Sequence, residues 1–138
     1  MNLSKRLSKV LEYINEFDKV ADIGADHGYL SIAMLEKGIK FVQVVENKTE
    51  PFLRAQSALS GYDNVIFSLS DGISDLNEDI NTVTICGMGG LNIVEILGSQ
   101  LNKAKKLNYE CYYINIQSLM KKDSMLLLSY LEEKNLLK

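Results

Sequence analysis

What most constrains this chain is an alternation of two kinds of segment. Short runs of apolar and β-branched residues end in turns carrying acids or glycines, and segments with apolar residues at helical spacing follow them. The first run is 19–23, Lys19-Val20-Ala21-Asp22-Ile23. A helix is predicted over 29–37, with Leu30, Ala33 and Met34 as its apolar stripe and Gly38 as its stop. A second strand at 41–45 precedes a helix at 49–60, where Thr49 can cap and Pro51 is tolerated in the first turn. Strands at 65–67, 81–86 and 110–116 and helices near 91–97 and 124–133 continue the pattern. Ahead of it all, Leu3, Leu7, Val10, Leu11 and Ile14 mark an amphipathic N-terminal helix within residues 1–16. Such alternation predicts an α/β fold: a mostly parallel sheet with helices on both faces, joined by right-handed crossovers. With 138 residues the expectation is a single domain, 1–138.

In sheets of this kind ligands sit beyond the carboxyl ends of the strands, where the strand order reverses. The turns after the strands are therefore where function is to be sought. The first, Asp22-Ile23-Gly24-Ala25-Asp26-His27-Gly28, resembles a dinucleotide fingerprint with Asp26 in place of the middle glycine. A carboxylate there would repel a pyrophosphate, which argues against NAD or FAD. Acids in the same geometry suit a ligand with cationic groups, and S-adenosylmethionine offers an ammonium and a sulfonium without a phosphate. The plainer alternative is a strand-to-helix turn in which Asp26 only caps the helix.

Glu46 follows the second strand, placed to accept hydrogen bonds from both hydroxyls of a ribose. After the third, Asp71 in Ser70-Asp71-Gly72 can accept a hydrogen bond from an adenine amino group, and Gly72 leaves room for the ring. Either acid could instead be solvated, and Asp-Gly is a common turn without any ligand. Cys86-Gly87-Met88-Gly89-Gly90 after the fourth strand leaves the backbone bare for a planar substrate, or is simply a loose loop. Gln117, after the fifth, can hydrogen-bond a base edge or lie exposed.

Composition adds exclusions. The longest apolar runs are far too short to span a bilayer, and no apolar region follows Lys5-Arg6 as in a signal peptide, so a cytoplasmic protein without a membrane partner is expected. Cys86 and Cys111 lack metal-ligand spacing and read as buried reduced thiols, so no metal is expected. The net charge of −3 is not that of a free-standing nucleic-acid binder. An RNA role would need a local basic patch, and Lys5, Arg6 and Lys9 form the one candidate stripe.

Three stretches together resemble one family: Asn2-Leu3-Ser4-Lys5-Arg6-Leu7, Ala21-Asp22-Ile23-Gly24-Ala25-Asp26-His27-Gly28-Tyr29-Leu30 and Ile85-Cys86-Gly87-Met88-Gly89-Gly90 are similar to the bacterial tRNA (adenine-22) methyltransferases. The resemblance implies a Rossmann-like class I methyltransferase that uses S-adenosylmethionine to methylate ring nitrogen 1 of adenosine 22 in tRNA. It implies cofactor contacts at Asp26, His27, Glu46, Asp71 and Gly72; Asp22, Gly24, Gly28 and Gly87 complete the expected cofactor-binding set. It implies that Gly87 to Gly90 border the target base and that Arg6 and Leu7 lie near the mouth of the pocket, and the expected substrate-binding residues are Lys5, Arg6, Met88, Gly89, Gly90 and Gln117. The family shows Gln-Pro-Asn at the fifth turn, where this chain has Gln117-Ser118-Leu119. It also continues past this chain's last residue with further strands and a helical carboxy-terminal region. An open sheet edge left by those strands would favour a homodimer.

Methyl transfer from a sulfonium is an in-line displacement, so positioning should supply most of the catalysis. Adenine N1 has a lone pair and needs no base before it attacks. Asp26 and His27 are the titratable pair expected nearest the methyl group, and so the candidate catalytic residues. His27 could equally touch the cofactor without moving a proton. Two other functions fit the same fold: a methyltransferase for a small molecule or protein, and a catalytically idle cofactor-binding module.

Overall fold

A computed structural model of the chain describes residues 3–25 and 27–86. Four strands, β1 (Lys19–Ile23), β2 (Phe41–Glu46), β3 (Val65–Leu69) and β4 (Thr82–Ile85), form one sheet in the order β3-β2-β1-β4. Every pairing is parallel. The expected Rossmann-like α/β arrangement is therefore present. The chain crosses from β3 at one edge to β4 on the far side of β1, so the strand order reverses between β1 and β4. The predicted helices at 91–97 and 124–133 and the strand at 110–116 lie outside the described residues.

Among the described residues three helices accompany the strands: α1 (Lys5–Glu12), α2 (Tyr29–Lys37) and α3 (Thr49–Ala58). Val20 pairs with Val42, and Asp22 with Val44, so these side chains share a sheet face. Val20, Val42 and Val44 are buried there with Leu30, Met34, Ala55 and Leu59 from the helical layer. α1 joins the same core through Val10, and Ile14 follows just past its end. Met34 is fully buried at its centre. Truncating it to alanine would cost about 2–5 kcal/mol, the lost transfer energy plus that of the cavity left behind.

Boundaries differ from the sequence reading where local polar groups intervene. The N-terminal helix is eight residues long, opened by Ser4, whose Oγ accepts from the Leu7 amide at 3.2 Å. It does not run on to residue 16. The Asn15 amide donates to Asp18 Oδ2 at 2.9 Å and forms a turn that competes with another helical turn. At α3 the N-cap is Lys48 and Thr49 is already helical, so Thr49 does not cap, and Glu50 supplies the favourable negative charge in the first turn. β2 and β3 each extend beyond the predicted ends because Glu46 and Leu69 remain in register.

Candidate functional site

The carboxyl ends of β1, β2 and β3 surround an open cleft with about 230 Å³ of empty space. Gly24 lines it from β1, Glu46 and Asn47 from β2, and Ser70, Asp71 and Gly72 from β3. The sheet fixes this floor. The Gly24 amide donates to the Val45 carbonyl at 2.9 Å and the Ser70 amide to the Glu46 carbonyl at 2.8 Å, so the ladders run one residue past each strand. Gly24 and Gly72 have φ of 70° and 55°, a conformation in which glycine is unstrained.

Glu46 is 6 % exposed, an acid held at the cleft wall by the strand that carries it. Asp71 opens a tight turn in which its carbonyl accepts from the Ser74 amide at 3.1 Å and from Ser74 Oγ at 2.7 Å. Ser70 Oγ is buried at the cleft and has no hydrogen-bond partner among the described residues. An orphaned buried hydroxyl costs about 1–3 kcal/mol, which a polar ligand would recover.

Asp22 stands behind the cleft rather than in its lining. Its carboxylate accepts from Ser31 Oγ at 2.6 Å and Thr84 Oγ1 at 3.0 Å, tying β1 to α2 and β4. Burial pushes its pKa up to about 6. The two hydroxyl donors pull it down in part, and the negative charge of Glu46 adds to the rise.

The turn after β1 leads to Gly28, the N-cap of α2, with φ of 78°. A Cβ there would stand 3.3 Å from Leu59 Cδ1, so α2 starts close against the end of α3. Beside it the His27 ring stacks on Tyr29, with centroids 5.4 Å apart and planes at 21°; both residues are exposed. Lys5 is exposed on α1, and Lys9 forms a 3.1 Å surface pair with Glu12, which leaves less of the basic stripe for a polyanion.

Of the residues singled out from sequence, the fold gathers Gly24, Glu46, Asp71 and Gly72 into one cleft. Asp22 and Gly28 buttress its neighbourhood. Asp26, Gly87, Met88, Gly89, Gly90 and Gln117 lie outside the described residues, as does the side chain of Arg6. Sequence reading passed over Asn47 and Ser70 as cleft residues, although Ser70 sits in the turn that was singled out. Among the described residues no three His, Cys, Asp or Glu side chains group as metal ligands would. No helix among them is long and apolar enough to cross a membrane.

A parallel sheet with a strand-order reversal, and a cleft at its carboxyl edge lined by acids and glycines, define a Rossmann-like domain. Residues 3–128 match the model of the methyltransferase domain family, and the chain belongs to that family. It is 36% identical over 108 residues to the tRNA (adenine(22)-N(1))-methyltransferase of Bacillus subtilis, a match covering 75% of this chain and 45% of that protein. A Streptococcus agalactiae protein of the NADB-Rossmann superfamily superposes with a TM-score of 0.73 at 30% identity, over 83% of this chain and 58% of that one. M. capricolum TrmK, solved with S-adenosyl-homocysteine, gives a TM-score of 0.64 at 33% identity, over 70% of this chain and 46% of the other. The chain spans about half the length of the curated relatives it matches.

Proposed function

We propose that the chain is the cofactor-binding part of a tRNA methyltransferase that uses S-adenosylmethionine to methylate N1 of adenosine 22. The observation that carries the proposal is the convergence of Glu46, Asp71, Gly24 and Gly72 on one cleft at the carboxyl edge. S-adenosylmethionine, when bound, supplies a methyl group on a cationic sulfur. The residues present fit its adenosine half: Glu46 accepts from the ribose hydroxyls and Asp71 from the adenine amino group. Gly24 and Gly72 let the backbone approach, and the orphaned Ser70 hydroxyl gains a partner. The cofactor's identity is supported by the M. capricolum relative, solved with the demethylated form.

Within this reading Asp26 and His27 are the groups nearest the reacting atoms, and Gly87 adds a cofactor contact beside Asp22, Gly28 and the cleft. Lys5, Arg6, Met88, Gly89, Gly90 and Gln117 meet the tRNA, whose target base is drawn out of its pairing to expose N1. A cytoplasmic location, where tRNA is processed, and pairing of two copies along an open sheet edge belong to the same proposal. The test is transfer of a labelled methyl group from S-adenosylmethionine to unmodified tRNA carrying adenosine or guanosine at position 22. Label that enters only the adenosine tRNA supports the proposal. Cofactor binding with no transfer to either would favour the idle-module reading, and transfer to a protein or small molecule would redirect the substrate.

A further inference from the structure

The connection over residues 70–81 carries Asp71 and Gly72 to the cleft, yet it contains neither helix nor strand. Something other than a regular hydrogen-bond ladder must hold it still. Ile73 anchors it by being fully buried. The second anchor is a polar side chain within the sheet, Gln43 in the middle of β2, which is 1 % exposed.

Gln43 Nε2 donates to Ser68 Oγ at 2.7 Å and to the Asp75 carbonyl at 2.9 Å. Its Oε1 accepts from the Asn77 amide at 2.8 Å. Both amide hydrogens and the carbonyl oxygen are thus used. A buried amide is costly unless it is satisfied in this way. Two of the three bonds reach the backbone of the connection, 32 and 34 residues along the chain, and the third reaches β3. Gln43 does not itself line the cleft.

We infer that Gln43 is a positioning residue for adenine selectivity: by clamping Asp75 and Asn77 to the sheet it fixes the Asp71–Gly72 turn where the adenine amino group is read. The inference rests on the proposed nucleoside site, and it concerns how that site is held. Asn81 still ties the far end of the connection to Lys19 on β1, but without the clamp the stretch next to the cleft loses its polar anchor on β2, and Asp71 samples positions in which it no longer separates an amino group from a carbonyl.

The test uses adenosine and inosine, which differ at the purine 6-position, with dissociation constants measured by calorimetry. Amide exchange across 70–81 is followed alongside. The unaltered chain should prefer adenosine by roughly ten-fold or more, the worth of one hydrogen bond to a charged acceptor. Gln43→Met keeps the volume and removes all three bonds; it should bring the preference to within about two-fold of unity and speed exchange across 70–81. Gln43→Glu keeps the acceptor for the Asn77 amide, turns the Ser68 contact into one that Ser68 Oγ must donate, and sets a carboxylate oxygen against the Asp75 carbonyl. It should lose most of the preference too, and it serves as the readout if Gln43→Met does not fold. A loss of stability alone, with the preference intact in either folded variant, overturns the inference. If the unaltered chain binds both nucleosides equally, the site reading fails first and takes the inference with it.

Discussion

Ser31 Oγ donates a 2.6 Å hydrogen bond to Asp22 across the buried seam between α2 and β1, and Thr84 supplies the second donor from β4. The acid therefore joins three elements just beneath the turn that opens the site. Burial raises its pKa from 3.8 to about 6, so the folded chain holds a proton that the unfolded chain releases at lower pH. Stability from this group is fully present below about pH 3.8 and is lost as pH rises through about 6. The upper limit of the loss is roughly 3 kcal/mol. Asp22→Asn keeps the shape and cannot ionise. Urea unfolding between pH 4 and 7.5 should show the variant gaining on the unaltered chain as pH rises, with most of the gain between about pH 4 and 6. Parallel curves would mean that Asp22 does not titrate in this window.

Gly28 and Gly38 separate two costs of replacing a glycine. Both have positive φ, 78° and 107°, so alanine at either is strained by about 1 kcal/mol or more. Among the described residues nothing lies within 4 Å of a Cβ at Gly38, whereas one at Gly28 meets Leu59 Cδ1 at 3.3 Å. Gly28→Ala should therefore destabilise more than Gly38→Ala, by about a further 1 kcal/mol, and should weaken S-adenosylhomocysteine binding where Gly38→Ala does not. Thermal melts with and without that ligand would check both parts.

Lys37 closes the other end of the helical layer. From the last turn of α2, its Nζ donates to the carbonyls of Leu11 and Ile14 at 2.7 and 2.8 Å, at the carboxyl end of α1. Lys37→Met keeps the aliphatic stem and removes the charged donor. It should cost about 1–2 kcal/mol and increase amide exchange in α1 before any other element. Uniform exchange across α1, α2 and α3 would argue against this role.

The alternation of strands and helices was legible because its signals are local: a strand of β-branched residues such as Val44 and Val45, a helix stripe such as Leu30 and Met34, and a stop at Gly38. Gly24, Glu46, Asp71 and Gly72 were legible as cleft residues because the turn after a strand lies at the carboxyl edge wherever the strand sits in the sheet. The role of Asp22 was not, since its partners Ser31 and Thr84 lie 9 and 62 residues away and only the folded sheet brings them together. Gln43 was invisible for the same reason. In sequence it is one polar residue inside an apolar strand, and its partners are Ser68 on β3 and two backbone groups beyond β3.

Glu46 links the cleft to this buried framework, because its charge helps to raise the pKa of Asp22. Replacing it with glutamine should therefore have two effects. Glutamine is a weaker acceptor for the ribose hydroxyls than a carboxylate, and losing a bond to a charged group costs about 1.5–3 kcal/mol, so S-adenosylhomocysteine should bind roughly ten- to hundred-fold more weakly. Removing the neighbouring negative charge should also lower the pKa of Asp22, and the pH window over which the chain loses stability should close from its upper side. Calorimetric titration reads the first effect and urea unfolding across the same pH series reads the second. A loss of affinity with an unchanged pH curve would leave Glu46 at the ligand and remove it from the electrostatics of Asp22. A changed pH curve with full affinity would take it out of the ribose site.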